Sequence, residues 1–134
     1  MIERDLLTYL QGYSSLTSLV GNKIYVIQAP QSGVQMPWVI IENTSGTRRK
    51  IAQNKIEEIA YVRVTVDSGP NQVVLGRNIA EKAKEAVENL RGALGLATDV
   101  HITCGSIRGW AGVGGAFRYQ FDVTARFTEP YTEP

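Results

Sequence analysis

Phe117-Arg118-Tyr119-Gln120-Phe121-Asp122-Val123-Thr124-Ala125-Arg126-Phe127-Thr128 alternates apolar and polar residues along its length. Successive side chains of a β-strand point to opposite faces, so Phe117, Tyr119, Phe121, Val123, Ala125 and Phe127 form one apolar face. Arg118, Gln120, Asp122, Thr124 and Arg126 form the other. A slip of one residue would turn the whole apolar set toward water, so the register is strongly specified. Residues 59–67 repeat the pattern, with Ala60, Val62, Val64 and Val66 opposite Tyr61, Arg63 and Thr65. Strands of this kind belong to a sheet covered on one side.

The cover is legible as helices. Leu75, Ile79, Ala83, Ala86, Val87, Leu90 and Leu94 recur on one helical stripe, and Arg77, Glu81, Lys84, Glu85, Glu88 and Arg91 lie across from it as a solvated face. Ser68-Gly69-Pro70 opens this helix, since proline is tolerated in a first turn, and Gly92 and Gly95 end it. Ile2, Leu6, Leu7 and Leu10 mark a shorter amphipathic helix that stops at Gly12. Ser14 or Ser15 caps a further turn carrying Leu16, Leu19 and Val20, which Gly21 and Asn22 end. Residues 23–28, 38–42 and 100–104 read as further strands, and 29–37, with two prolines and a glycine, as a connection. Residues 43–58 are polar and read as a long hairpin loop with frayed strand ends. Single-faced alternation indicates an α+β fold, a mainly antiparallel sheet with two main helices packed on one face. Residues 1–128 are expected to form a single domain and 129–134, with two prolines, a flexible C-terminal tail.

Composition narrows the function. The chain is 43% hydrophobic and 20% charged, which suits a folded domain rather than a disordered one. Fourteen Lys and Arg against thirteen Asp and Glu leave a formal charge of +1, so no global field draws in nucleic acid or an anionic membrane. The first ten residues carry Glu3 and Asp5 among the apolar ones and do not read as a secretory signal. No stretch approaches the roughly 20 apolar residues that span a bilayer, so no membrane partner is expected.

Catalytic, metal and cofactor chemistry all lack their residues. His101 and Cys104 are the only histidine and cysteine, and their spacing on one strand sends them to opposite faces, where they cannot share a proton or a metal. Zinc needs three or four His, Cys or acidic ligands together. Glu57, Glu58, Glu81, Glu85 and Glu88 read as surface charge without the burial that raises a carboxyl pKa. Gly105, Gly109, Gly112, Gly114 and Gly115 crowd one segment without a P-loop or dinucleotide fingerprint, and read as a mobile loop or tight turns. Trp110 within it reads either as an interface anchor or as a ring folded over the edge of its own core. No catalytic, cofactor-binding or metal residue is assigned.

Residues 6–10, residues 16–20, Gly21-Asn22-Lys23-Ile24-Tyr25, Ala29-Pro30-Gln31 and Met36-Pro37-Trp38-Val39-Ile40 resemble, in that order, the amino-terminal half of the tail-completion or tail-terminator proteins of long-tailed phages. The resemblance continues through the strand at 61–66, the helix after Pro70 and the aromatic closing strand at 117–127. The glycine-rich stretch 105–115 is longer than that family has between its last two strands. The resemblance implies a virion protein of the tail or neck, assembled in the host cytoplasm. It further implies a ring-shaped homo-oligomer, a hexamer, that seats on the tail tube protein, stops its polymerisation and joins the head-tail connector protein. DNA would meet such a ring only by passage through it, and no cofactor is implied. Two alternatives stand beside this: a head-side neck or connector ring protein, and, from another class, a small nucleic-acid-binding module using Arg48, Arg49 and Lys50 with stacking by Trp110 or Tyr119. The family's interface carries no motif to match. The interface candidates therefore come from the residues themselves: Arg48, Arg49, Lys50, Trp110, Arg118, Gln120, Asp122 and Arg126.

Overall fold

The computed structural model describes residues 2–29, 33, 35–52, 54–95 and 97–130. In chain order they form α1 (Ile2–Gln11), α2 (Ser14–Val20), β1 (Ile24–Val26), β2 (Trp38–Ala52), β3 (Lys55–Ser68), α3 (Val73–Glu88), β4 (Gly92–Leu94), β5 (Ala97–Cys104), β6 (Arg108–Ala111) and β7 (Phe117–Pro130). The alternating segments lie side by side at the centre. β3 and β7 pair antiparallel without a bulge from Lys55 opposite Pro130 to Ser68 opposite Phe117. Seven strands follow the order β1-β2-β3-β7-β5-β4, with β6 also on β7, and β1 alone runs parallel to its neighbour. The fold is α+β, as the single-faced alternation requires.

One face of the sheet carries the helices. Val39, Ile41, Ala60, Val62, Val64, Val66, Phe121, Val123, Ala125 and Phe127 point into a single core shared with Leu6, Leu10, Leu16, Ile79, Ala83 and Val87 of the helices. The helix α3 packs on β3, β7 and β5, whereas α1 touches β1 and β2 on one side and β4 on the other, so the sheet curls around the helical layer. Gly76 lets α3 close on the sheet, because a Cβ there would lie 2.5 Å from Ser68 Oγ and 3.2 Å from the Tyr119 ring. Two phenols tie the layers together. Tyr9 Oη donates to the Ala86 carbonyl at 2.8 Å and Tyr119 Oη to the Val73 carbonyl at 3.0 Å, giving each partly buried hydroxyl a partner.

Several local expectations are corrected. Residues 43–58 are not a loop: β2 runs on to Ala52, and β3 starts at Lys55, which lies opposite Ala52. Both faces of this arm are polar, which removes the alternation by which a strand is recognised, and pairing with β3 holds it extended instead. Pro70 lies in the turn before α3, which begins at Val73, and the helix ends at Glu88 with Asn89 as its cap. Leu90 and Leu94 are buried all the same, because the chain turns back and brings β4 onto β5. Tyr13, without a side-chain cap, precedes α2, so neither Ser14 nor Ser15 fills that role. The glycine-rich stretch contains β6, paired with β7 from Arg108 opposite Gln120 to Ala111 opposite Phe117. Gly109 is required there, since a Cβ would come within 2.8 Å of the Phe117 ring and 2.9 Å of the Tyr119 ring. The closing strand extends to Pro130, so residues 129–130 of the expected tail are strand, and the rest of it, 131–134, lies outside the described residues.

Phe121 is fully buried at the middle of β7. Phe121→Ala should lower unfolding stability by about 3 to 5 kcal/mol, measured by denaturant titration.

Candidate assembly interface

Period-2 geometry that sends the apolar residues of β3 and β7 to the helices sends their neighbours to the opposite face, and no described element covers it. The strand registers arrange these side chains in rows. Trp38 lies opposite Asp67, Asp67 opposite Arg118, and Arg118 opposite Trp110, so one row crosses β2, β3, β7 and β6. Arg118 donates from Nε to Asp67 Oδ1 at 2.6 Å and from Nη2 to Oδ2 at 3.1 Å, and Trp38 Nε1 donates to the same Oδ2 at 2.9 Å. Asp67 is 7% exposed, and these three bonds compensate its removal from water. Its carboxylate also raises the Arg118 pKa through their hydrogen bonds, against the smaller effect of burial. The guanidinium is thus a fixed, permanently charged fork.

Around this row Met36, Trp38, Trp110, Gly112, Ala116 and Phe117 line a cavity of about 380 Å³. Trp110 is 43% exposed at its rim, so it is not folded over the core. In the next rows Gln120 Nε2 donates to Thr65 Oγ1 at 3.0 Å, and Asp122 receives Arg63 at 3.2 Å and Arg108 at 3.1 Å. Farther along, Arg126 lies opposite Ile59 on one side and His101 on the other.

The sequence candidates therefore fall on one surface with two exceptions. Trp110, Arg118, Gln120, Asp122 and Arg126 share the uncovered face, and so does Arg49, which donates to Glu57 at 3.1 Å. Arg48 and Lys50 lie on the other face of the arm, where Arg48 meets Glu58 at 3.8 Å. These cations belong to a paired strand and not to a loop. Trp38, Asp67, Arg63 and Arg108 were missed. Asp67 ends the alternating run 59–67, yet its partners lie far away in sequence and become neighbours through strand register alone.

Glu58 departs from its expected role as ordinary surface charge. Burial first, and then the nearby Glu129, raise its pKa, and Arg48 opposes them without cancelling them. The long contact to Arg48 thus leaves the carboxylate poorly compensated. Cys104 and His101 point to opposite faces as strand alternation demands, with His101 exposed and Cys104 half-buried. Burial, then Glu88, pushes the Cys104 thiol up to about 11, while Lys84 pulls it down. Among the described residues no group of three or more His, Cys, Asp and Glu is placed to hold a metal, and no helix is long and apolar enough to cross a membrane.

No family model and no curated protein matches the sequence. A virion chain shares the fold. The solved structure described as "Virion of native gene transfer agent (GTA) particle" contains a chain that matches with a TM-score of 0.80 over 95% of this chain and 94% of that one. Sequence identity is 12%, so the likeness is one of architecture, extending from end to end of both chains.

Two outcomes follow from this geometry. Asp67→Ala strands the Arg118 fork and frees the Trp38 indole, which should lower stability by about 2 kcal/mol and shift the tryptophan emission of the folded protein. With its thiolate disfavoured, Cys104 should react with iodoacetamide at pH 8 more slowly than free cysteine, and at the free rate in denaturant.

Proposed function

We propose that the chain is a non-enzymatic virion structural protein, the tail-terminator subunit of a phage-like particle. Six copies close into a ring on the finished end of the tail tube, stop its polymerisation and present a surface to the head connector. The observation that carries this reading is the end-to-end match to a chain of a gene transfer agent virion. The uncovered sheet face supports it, because its side chains are already held by one another before any partner arrives. Preorganisation of this kind lowers the entropy lost on association. Closure by rotation also suits a part that must end a polymer, since each copy uses the same contact and none is left over.

The interface assigned to this role comprises Trp110, Arg118, Gln120, Asp122 and Arg126 on the open face with Arg48, Arg49 and Lys50 on the arm. Trp110 supplies an exposed aromatic at the rim of an apolar cavity, the kind of anchor that dominates association energies. The charged residues set register and encounter rate more than affinity. A nucleic-acid-binding role is less well supported, because Glu58 and Glu57 sit against Arg48 and Arg49 and would compete with phosphates.

Particles assembled without this protein should show tails of irregular length or heads left unjoined in electron micrographs. Uniform tails joined normally to heads would refute the assignment. Reversing Arg48, Arg49 and Lys50 together should reduce joining while the purified subunit keeps its secondary structure, since exposed charge pairs contribute at most about 1 kcal/mol each.

A further inference from the structure

The arm formed by the distal half of β2 has an unusual combination of properties. From Glu42 to Ala52 every residue is exposed, although the segment is a hydrogen-bonded strand. One edge pairs with β3, while β1 reaches no farther than Ile41. The hydrogen bonds at the start of β2 fix which backbone groups point outward. Val39 N–H donates to Lys23 and the Ile41 carbonyl accepts from Ile27, so the odd residues there face β1 and the even ones face β3. The bulge between Asn43 and Ser45 reverses this parity. Ser45, Thr47 and Arg49 then face β3, and Gly46 and Arg48 aim their N–H and C=O groups away from the sheet.

Exposed edges are normally blunted by proline, bulges or charge. Here the two register shifts lie at the ends, between Asn43 and Ser45 and between Lys50 and Ala52, leaving 45–50 regular. No proline interrupts this run, and its Arg48 and Arg49 are faced by Glu58 and Glu57 of the same hairpin. Arg48 and Arg49 thus each have a carboxylate opposite them, which lessens their repulsion of another strand.

The opposite side of the sheet offers a second open edge. β4 covers β5 no farther than Val100. His101 and Thr103 lie opposite Arg126 and Thr124, and Gly105 N–H donates to the Asp122 carbonyl at 2.9 Å, so those residues face β7. Ile102 and Cys104 therefore turn their backbone groups outward, and Gly109 does the same in β6. With β2 antiparallel to β3, β3 to β7 and β7 to β5, the two open edges run in opposite directions. By register Gly46 stands level with Ala60, Ala125 and Ile102, so a rotation about an axis close to the strand direction brings the β2 edge of one copy onto the β5 edge of the next as an antiparallel pair.

We propose that neighbouring copies join by strand addition, the outward backbone of β2 at Gly46 and Arg48 pairing with the β5 edge of a second copy at Ile102 and Cys104. This rests on the reading of the chain as a ring subunit and names the contact that closes the ring. Because the two edges are different surfaces of one molecule, the contact is head-to-tail. It repeats around the ring and satisfies outward backbone groups of Gly46, Arg48, Ile102 and Cys104 that no other described strand pairs.

Amide exchange, read residue by residue in the free subunit and in the ring assembled on tails, tests this directly. Gly46 and Arg48 should exchange freely in the subunit and slow by at least about tenfold in the ring, together with Ile102 and Cys104, while Thr47 and Arg49 are already protected in both. A ring in which Gly46 and Arg48 still exchange freely would overturn the proposal and leave the ring reading intact. Slowing on β2 alone would also overturn it, in favour of β2 meeting β2 or a strand of the tube protein. A subunit that never assembles on tails would overturn both readings. Arg48→Pro and Arg48→Ala provide a second test, because both remove the charge and proline alone also removes the outward N–H. At equal secondary structure by circular dichroism, ring yield should be at least about tenfold lower for proline than for alanine. Equal yields would contradict backbone pairing.

Discussion

The uninterrupted pairing of β3 with β7 is the constraint on which the rest of the molecule depends. Its register, unbroken from Lys55 opposite Pro130 to Ser68 opposite Phe117, aligns two alternating strands so that their apolar residues share one face. That alignment creates a surface the helices must cover, and it leaves a second surface that nothing described covers. The same register places Asp67 against Arg118 and Arg63 against Asp122, so core and polar face are consequences of one pairing. At one end the strands carry the core, and at the other they hold the arm of β2 extended although none of its own residues past Ile41 is buried.

Where hydrophobic period coincided with burial, the sequence was legible. Phe121, Val123, Ala125 and Phe127 alternate because one side of β7 meets helices, and Ile2, Leu6 and Leu10 recur because one side of α1 meets the sheet. Where burial is absent or symmetric the signal disappears. The arm from 43 to 58 has no dry face over most of its length, so polarity alone suggested a loop. Leu90 and Leu94 continue the helical spacing of α3 by coincidence, and their burial comes from a hairpin that returns to the same core. The glycine-rich stretch misled for a different reason. Gly109 is there to make room for the Phe117 and Tyr119 rings, a close approach between strands that composition does not distinguish from a mobile loop.

The candidate surface was half legible for a related cause. Exposed polar positions of β7 follow from its period, which is why Arg118, Gln120 and Asp122 were found. Their partners Asp67, Thr65, Arg63 and Arg108 required the register, and Trp38 required the knowledge that β2 lies beside β3. Once paired, these residues form a surface whose charges are locally satisfied and whose geometry is fixed by strands. Rigid, preorganised side chains lose little further entropy when they meet a partner. The raised pKa of Glu58 reflects first its burial at the base of the arm and then the nearby Glu129, with Arg48 no closer than 3.8 Å.

We propose that this fold works as a closed ring at the end of a tail. Native mass measurement of the assembly released from tails tests it most directly. A single species of six subunits whose mass does not change with protein concentration is the expected result. A monomer under those conditions, or a ladder of masses that lengthens with concentration, would contradict it.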